Sequence, residues 1–597
     1  MKKKKGFTLV ELLVVIAILA VLATVSVVGY MGFTKKAQES NDIGLTAQMN
    51  TILQAEEVTN KPTTPHEAVK QLANGGVDVE KLTPRTDGYN YVYDLDANRI
   101  FLLNTDKQPV APTNIDFTKD NKVFAIVGNE TEYNTWKDYS VYLKTNFEMT
   151  STNLFSDLKT GLDVGSNKID AITYTGSAEK EALIRTNGGT LTINAGADTV
   201  YHYGASDYVN VIAINTNSYH EFGAAAYARI ASGHFVAESS AKIVNLNVAS
   251  SSVTVTEENG ATVGTYSKSE ENVTVTVNGT TKEVNDVKSE DDIKNAVSSS
   301  EVVAEDGVAE VNGIKFKSLK AAVDIANDGD VVTLISDYSF DKELVVNKNL
   351  TIDFNGHVLN YENGNNGSAI SINEYTLLLK DSTVSKSGKL ISSDYGVSSE
   401  NDGLIIVEDI EINSAYACLS GNNQTGNMNF TVKSGTLTSK YSETVYMPGQ
   451  GTLNIFGGVL NGGISLRMGT VNMTGGVVNG MKSTQDSDPI SNYWNYSGSA
   501  WIGDAIYVMA GTYSTKFADN NNCVINVTGG TINGNAHNAV CVYDIGTKCN
   551  QKVLVNISKD VSVTGNIKID RDFTTDSKYN RTYPADVTIT TSTGIIK

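Results

Sequence analysis

The residue types that could support specific chemistry begin at the N-terminus, where a single acid interrupts an apolar run. The run extends from Phe7 to Val28, and Glu11 is the only charged residue within it. A helix over this run, at about 1.5 Å of rise per residue, matches the roughly 30 Å hydrocarbon core of a bilayer. A carboxylate in that environment costs about 2.5 to 3.5 kcal/mol on insertion scales, so it needs a partner. The pattern predicts a membrane-spanning helix in which Glu11 is a pairing residue.

Four lysines at positions 2–5 lie directly before the apolar run. Because positively charged flanks tend to stay in the cytoplasm, they predict an N-terminus inside the cell and residues from 30 onward outside. A cleaved secretory signal peptide and a plain uncleaved signal anchor are the alternatives. A signal peptide typically has an apolar core of about 7 to 15 residues without acids, so the longer run and Glu11 argue against it.

The segment KKKKG followed by FTLVELLVVIAILAVLA resembles the N-terminus of type IV pilins and pseudopilins. The resemblance implies that a prepilin peptidase cleaves between Gly6 and Phe7 and that the new amine of Phe7 is N-methylated. It also implies that Glu11 pairs with the terminal amine of a neighbouring subunit, which makes two groups tolerable that would each be costly alone. The implied partners are the peptidase, other pilin subunits and the pilus assembly machinery of the membrane. The implied location is the cytoplasmic membrane before assembly and the pilus at the cell surface afterwards.

A second group of candidate binding residues lies between Gly480 and Cys523, in a segment that contains two of the three tryptophans. Aromatic rings offer flat apolar faces to sugar rings and are enriched at protein interfaces. The segment therefore predicts ligand binding, and packing of its rings against the rest of the protein is the alternative. The candidates are Tyr493, Trp494, Tyr496 and Trp501.

Composition excludes several classes of function. The formal net charge of −20 and the isoelectric point near 4.8 argue against nucleic acid as a partner, because phosphate binding needs clustered Lys and Arg. No CxxC motif, His-rich cluster or EF-hand loop is present in the sequence, so no metal or cofactor is predicted. Cys541 and Cys549 flank a short loop and could form a disulfide in an oxidising exterior, whereas buried or unpaired thiols are the equal alternative.

The elements that must carry these residues are predicted from periodicity and turn signals. The predicted fold is mainly β, with a long N-terminal helix and a small α+β head similar in layout to a pilin headgroup, followed by parallel β-helix (solenoid) units. A hairpin is expected around Asp96, Ala97 and Asn98, and another over 273–284. The predicted divisions are a leader peptide at 1–6, an assembly helix at 7–57, the head at 58–150, a first β-solenoid-like unit at 151–260, a connector at 261–306 and a parallel β-helix at 307–597.

The β-helix prediction rests on a motif and on repeats. A short helix at 318–326 with Ser318 as its predicted N-cap, then DGDVVTL and LTIDFNGHVL, resembles the opening of pectin-lyase-like right-handed parallel β-helices. The segments LNIFGGVLNG, VNMTGGVVNG and INVTGGTING share one pattern of apolar, Gly and Asn positions. Equivalent residues of adjacent coils should stack about 4.8 Å apart. This predicts an inner stack of Leu453, Val471 and Ile525, and a hydrogen-bonded ladder of Asn461, Asn479 and Asn533.

Polysaccharide lyases and hydrolases share the β-helix, so catalysis is an alternative. Such enzymes need carboxylates and usually a Lys or Arg near the cleaved bond. The sequence shows no paired-aspartate motif, no Gly-His-Gly and no Arg-Ile-Lys triplet, and its scattered acids are expected to lie on solvated faces. No catalytic residue is predicted. The available candidates are Asp353, Asp381, Asp394, Asp402, Asp409, Glu411, Arg467, Arg571 and Arg581.

These observations predict a type IV pilus-like subunit, a minor or tip pilin, that is not itself an enzyme. It would display its β-helix for adhesion to a glycan or to a host or abiotic surface. The alternatives are a membrane-tethered polysaccharide lyase or hydrolase, and a pseudopilin of a secretion or DNA-uptake system.

Overall fold

The structure is a computed structural model that describes residues 9–57, 60–111, 113, 122–176, 181–195, 199–214, 218–363, 367–421, 427–481, 503–510, 522–544, 551–571 and 585–597. The described chain has a long N-terminal helix followed by mostly parallel β structure, which confirms the predicted fold class. It divides into two compact units, which consist of Met1–Val297 with Val302–Ala304 and of Ser298–Glu301 with Glu305–Lys597.

Helix α1 spans Leu9–Glu57. Its sequence is free of proline, and Pro62 and Pro65 follow its end, which is where the helix was predicted to stop. Helix α2, Pro65–Asn74, is capped by Thr64, whose side chain accepts a hydrogen bond from the Glu67 amide. The remaining helices among the described residues are the 3-10 turn Val79–Lys81, α3 at Glu130–Trp136, α4 at Glu290–Val297 and α5 at Leu319–Ile325.

The head contains a small sheet beside α1. Strands β1 (Asn90–Asp94) and β2 (Arg99–Leu103) form the antiparallel hairpin predicted around Asp96. Strand β3 (Val123–Asn129) pairs antiparallel with β1, and β4 (Ser140–Glu148) pairs parallel with β3. Strand β4 then pairs in parallel with the next strand of the chain, Leu162–Asp163. The head sheet therefore continues into the first solenoid, and the predicted boundary near residue 150 lies within one continuous sheet.

The first solenoid has two rows of parallel strands that share the long strand Thr199–Ala213. Row A continues the head sheet through Leu162–Asp163, Glu181–Asn187, the first part of Thr199–Ala213, Ser218–Glu221, His234–Ala237, Thr254–Glu257 and Val275–Val277. Row B contains Ala171–Tyr174, Thr190–Asn194, the second part of Thr199–Ala213, Ala224–Ile230, Lys242–Val248 and Thr262–Lys268.

The stretch expected to be a connector, 261–306, has regular structure of its own. Its strand Thr262–Lys268 continues row B, so the parallel stacking extends beyond residue 260. Val275–Val277 and Thr280–Lys282 form the predicted hairpin. Helix α4 follows, and then a short strand, Val302–Val303, in which the Val302 amide donates to the buried Asp207 carboxylate at 2.6 Å. Alternating valines and threonines supply the strand-forming residues of this stretch.

The second unit is a parallel β-helix with three sheets, and each coil contributes one strand to each sheet. Sheet I contains Val331–Leu334, Leu350–Asp353, Thr376–Lys380, Leu404–Glu408, Met428–Val432, Gly451–Ile455, Gly469–Met473, Cys523–Val527, Lys552–Ile557 and Asp586–Thr591. Sheet II contains Tyr338–Phe340, Val358–Tyr361, Lys389–Ser392, Glu411–Ser414, Thr436–Ser439, Val459–Asn461, Val477–Asn479, Thr531–Asn533 and Ser562–Thr564. Sheet III contains Leu344–Val346, Ser368–Asn373, Tyr395–Glu400, Leu419–Ser420, Val445–Met447, Ile464–Leu466, Ile506–Ala510, Val540–Asp544 and Ile567–Asp570.

Both ends of sheet I are closed by antiparallel strands. At the start, Ala309–Val311 pairs with Ile314–Phe316 and with Val331–Leu334, and α5 packs against these strands. The Ser318 side chain caps α5 by accepting from the Ala321 amide at 3.2 Å, as its sequence predicts. At the far end, Gly594–Ile596 folds back on Asp586–Thr591. Such caps cover edges that would otherwise pair with another chain.

The predicted stacking is confirmed inside the coils. Leu453, Val471 and Ile525 occupy successive register positions and are fully buried. Gly469–Met473 pairs directly with Cys523–Val527, so the long segment between them does not interrupt the sheet. This continuity leaves the core of the solenoid intact on both sides of the insertion.

The asparagine ladder is only partly as predicted. Asn479 donates to Asn461 at 2.9 Å, but the Asn533 side chain accepts from the Asn535 amide. A second ladder, which the sequence analysis missed, runs along the outer side of sheet I. Its amides are 3.0 to 3.1 Å apart, because these residues share one register position in successive coils: Asn454, Asn472, Asn526 and Asn556.

Candidate functional site: the assembly helix and the polar clusters

The first half of α1 is an exposed apolar surface. Its apolar side chains from Leu9 to Phe33 are mostly more than half exposed. Within the described residues, α1 is the one helix that is long and apolar enough to cross a membrane, with a mean hydropathy of 2.9 over its most apolar window. Glu11 lies in the first turn of this exposed part. Gly6 and Phe7 lie outside the described residues.

The second half of α1 packs against the head. Met49 and Leu53 are fully buried in a cluster with residues of α2, β1 and β2, and Leu45 and Ile52 are partly buried against the same cluster. The helix therefore changes from an exposed rod to a packed element within its own length. The exposed part is an apolar surface of the kind that a bilayer covers, whereas the packed part is covered by the head.

A buried carboxylate fixes this packing. Asp42 on α1 is 2% exposed, and its two oxygens accept hydrogen bonds from the Arg85 amide at 2.8 Å, the Thr86 amide at 3.0 Å and the Thr86 hydroxyl at 2.7 Å. Hydrogen bonds to an ionised acceptor are stronger than neutral ones. Asp42 therefore anchors the helix to the loop that precedes β1.

Further along α1, a side-chain amide joins the helix to the sheet. The Asn50 side chain donates to the Ile100 carbonyl at 2.9 Å and accepts from the Ile100 amide at 2.8 Å, as a neighbouring strand would. Sequence reasoning missed Asp42 and Asn50. The sequence contains a signal for both residues, because they lie at helical spacing from Met49 and Leu53 and therefore near the packed face of the helix.

The other predicted candidates are distributed as follows. Tyr493, Trp494, Tyr496 and Trp501 lie outside the described residues, as does Cys549. Cys541 is buried, and the bridge to Cys549 stays a prediction. Among the described residues, no group of three or more His, Cys, Asp or Glu side chains is placed to hold a metal ion.

Three of the candidate acids are not on solvated faces, which corrects that expectation. Asp353, Asp381 and Asp394 are at most 5% exposed. Asp381 accepts from the amides of Thr383 and Gly388, and Asp394 accepts from the Gly367 amide at 2.8 Å. Carboxylates that accept from turn amides hold loops in place, and the sequence does not distinguish them from exposed acids.

A different acid, Glu443, lies in a more unusual environment before the sheet III strand Val445–Met447. It is 4% exposed and accepts a hydrogen bond from the Tyr507 hydroxyl at 3.3 Å. Burial raises its pKa to about 7, and the neighbouring Arg467, itself buried, opposes that rise. A carboxyl group that is half protonated near neutral pH can donate or accept a proton, which is the property a general acid or base needs.

A row of half-buried tyrosines lies beside this acid, at or shortly before the sheet III strands. Tyr395 and Tyr416 have ring centroids 5.4 Å apart, and Tyr416 and Tyr441 are 6.3 Å apart, because they come from successive coils. The charge of Glu443 contributes to raising the pKa of Tyr395, after burial, which places the row close to the acid. No sequence pattern singled out Glu443 or this row.

The comparisons with known proteins concern only the N-terminus. Residues 1–27 match the family model described as the prokaryotic N-terminal methylation motif. This match confirms the predicted pilin-type N-terminus and supports a pilin-like or pseudopilin-like subunit. No curated protein and no solved structure matches the chain.

Proposed function

We propose that this chain is a type IV pilin-like subunit, in a minor or tip position, that displays its β-rich part at the cell surface for adhesion. Cleavage between Gly6 and Phe7 by a prepilin peptidase and N-methylation of Phe7 precede assembly. The N-terminus faces the cytoplasm until then. The single observation that carries the proposal is α1, whose exposed apolar half bears the methylation motif while its other half is packed into the head.

Assembly follows from the energetics of that exposed half. Its apolar side chains are stable in a bilayer or buried against equivalent helices in a filament, but not in water. Glu11 then pairs with the terminal amine of Phe7 from a neighbouring subunit, because neither charge is tolerable alone in an apolar filament core. A display role suits a β-helix, because its stacked coils form a stiff rod.

The test of assembly is Glu11→Ala in cells that produce filaments. We expect the protein to remain in the membrane while the yield of sheared surface filaments containing it falls about tenfold or more, since the inserted subunit lacks its pairing group. Glu57→Ala, which removes an exposed acid at the other end of the same helix, is the matched control and should leave the yield unchanged. Equal yields from the two variants would refute the assembly role of Glu11.

Adhesion through the segment that contains Trp494 and Trp501 is tested separately. Replacing both with alanine should abolish binding of the full chain to immobilised glycans without changing filament yield. Retention of full binding would remove this segment as the adhesive site.

Polysaccharide cleavage is the second candidate, and Glu443 is the observation in its favour. Its buried carboxyl group, with the pKa raised to about 7 beside Tyr507 and Arg467, has the character of a general acid or base. Incubation of the full chain with neutral and acidic polysaccharides, followed by measurement of new reducing ends and of unsaturated products, tests this activity. Turnover that disappears in Glu443→Gln would establish the enzyme, and no turnover would leave display as the function.

A further inference from the structure

The outer side of row A in the first solenoid has an arrangement of side chains suited to a ligand. Parallel register places residues from three successive coils side by side. The coil at Thr199–Ala213 contributes Tyr201 and Tyr203, the next coil contributes Ser218, His220 and Phe222, and the following coil contributes His234, Val236 and Glu238. These eight residues form the aromatic platform.

The centre of the platform is a cluster of rings. Tyr203 and Phe222 are stacked with centroids 4.7 Å apart and planes 6° from parallel. Tyr201 lies 5.1 Å from His220 and 6.3 Å from Phe222. Tyr203 also packs against the head cluster, so the platform begins where the head stops covering the sheet. The rings are half-buried, and each presents part of its surface to solvent.

Polar groups surround these rings. His220 lies between Ser218, whose hydroxyl is 2.6 Å from Nε2, and Glu238, whose Oε1 is 2.6 Å from Nδ1. The side chains of His220 and Glu238 remain about one-fifth exposed. On the next coil, His234 Nε2 lies 2.8 Å from the Thr256 hydroxyl. The platform thus offers oriented hydroxyl, imidazole and carboxylate groups within reach of a molecule that rests on the rings.

We propose that the aromatic platform binds a neutral glycan. The faces of sugar rings carry C–H groups that pack on aromatic rings, and sugar hydroxyls can both donate to Glu238 and accept from or donate to Ser218. A neutral rather than an acidic glycan fits, because the platform contains Glu238 and is bordered by Glu181 and Glu258, and the chain carries a net charge of −20. This inference rests on the proposed display function and supplies a ligand class for it.

The inner side of the same strands shows a contrast that supports the assignment. There, His202 and Glu221 are fully buried, with His202 Nδ1 2.8 Å from Glu221 Oε2, and Thr186 lies 2.8 Å from Nε2. Tyr219 and the Gly223 amide also donate to Glu221, so this set is saturated by the protein itself. The outer set has the same types of group but is open to solvent, where a ligand can complete its hydrogen bonds.

The experiment measures binding by the full chain in a zwitterionic detergent that has no sugar headgroup. The probes are cellohexaose, chitohexaose and maltohexaose as neutral glycans and an oligogalacturonate as an acidic one, with binding followed by saturation-transfer NMR and calorimetry. We expect at least one neutral probe to bind. In the double variant Tyr201→Ala with Phe222→Ala, affinity should fall about tenfold or more, as it does when a stacking residue is removed.

Two further variants keep the result interpretable. Ser218→Ala with Glu238→Gln keeps all the rings and should also weaken binding, so a folding defect in the ring variant cannot imitate the effect. Tyr416→Ala, which removes an equally half-buried ring from the tyrosine row of the other unit, is the matched control and should bind normally.

Four results would overturn the proposal: no neutral probe binds, only the acidic probe binds, the platform variants bind as well as the unaltered chain, or Tyr416→Ala alone abolishes binding. Because binding is measured on unassembled protein, these results are independent of the filament yield that tests Glu11.

Discussion

Replacement of Asp42 by alanine tests whether one buried carboxylate holds the assembly helix on the head. The change removes the acceptor of three hydrogen bonds, two from backbone amides and one from the Thr86 hydroxyl. A buried donor left without an acceptor costs about 1 to 3 kcal/mol, and the hydroxyl can rotate to find another partner. Two stranded amides therefore predict a loss of about 2 to 6 kcal/mol in the free energy of unfolding.

Tryptophan fluorescence can follow unfolding of this unit alone. Trp136 is the only tryptophan of the head and is 5% exposed, whereas Trp494 and Trp501 belong to the other part of the chain. In a background where Trp494 and Trp501 are phenylalanine, a urea titration of Asp42→Ala should show a transition shifted to lower urea with an unchanged slope. Asp42→Asn, which retains one acceptor oxygen, should show a smaller shift.

Thr51→Ala is the matched control on the same helix. Thr51 is exposed, and its hydroxyl bonds only to the Ala47 carbonyl of its own helix, at 2.9 Å. Because alanine is the better helix former, we expect a change within about 0.5 kcal/mol. If Asp42→Ala unfolds at the same urea concentration as Thr51→Ala, then the anchor is not needed and packing of Met49 and Leu53 alone holds the helix.

Three further predictions concern the β-helix. Gly476→Ala should lower the free energy of unfolding by about 3 kcal/mol or more, because its φ is +85° and a Cβ there would lie 2.8 Å from the Gly457 backbone. Gly329→Ala is the control, with φ +88° and no atom within 4 Å of the added Cβ, and it should cost only about 1 kcal/mol. Urea titration measures both. Burial raises the pKa of Glu443 from 4.5 to about 7, so between these pH values the folded state holds a proton that the unfolded state releases. The free energy of unfolding should therefore fall by up to about 3 kcal/mol as pH rises from 4.5 to about 7. Urea midpoints measured across this pH range should show the fall, and Glu443→Gln should remove it. Burial also raises the pKa of Cys418 and Cys523 to about 12, so iodoacetamide should label both thiols only after denaturation. Mass spectrometry of the digested protein measures the labelling, and labelling of the folded chain at either thiol would contradict their burial.

Most of the secondary structure could be predicted because its signals are local. The end of α1 before Pro62, the cap at Ser318 and the hairpin around Asp96 all depend on residues adjacent in sequence. The stacking of Leu453, Val471 and Ile525 was also predictable, because a repeat fixes register wherever it recurs. The partial failure of the asparagine ladder at Asn533 has a local reason, since its side chain bonds the following turn instead of the next coil.

The site residues divide in the same way. Glu11 was identified from sequence because an acid in an apolar run is conspicuous at any position along a chain. Asp42 and Glu443 look like ordinary acids in the sequence, and only the fold shows that each is buried against groups that are 43 or more positions away. Burial depends on what covers a residue, and that covering is contributed by distant segments.

The sequence by itself therefore determined the chemistry of the N-terminus and the kind of fold that follows it, since a short linear motif and a periodic pattern carry their meaning without tertiary context. Only the tertiary structure showed that the head and the first solenoid share one sheet. Strand partners in a solenoid lie about one coil apart in the sequence, so the sequence alone does not show which strand pairs with the second edge of β4 or whether that edge stays open. The tertiary structure also decided which polar residues are saturated inside and which remain open outside. In a parallel solenoid the alternation of side chains gives two faces, but the packing of other elements on those faces decides which one is free.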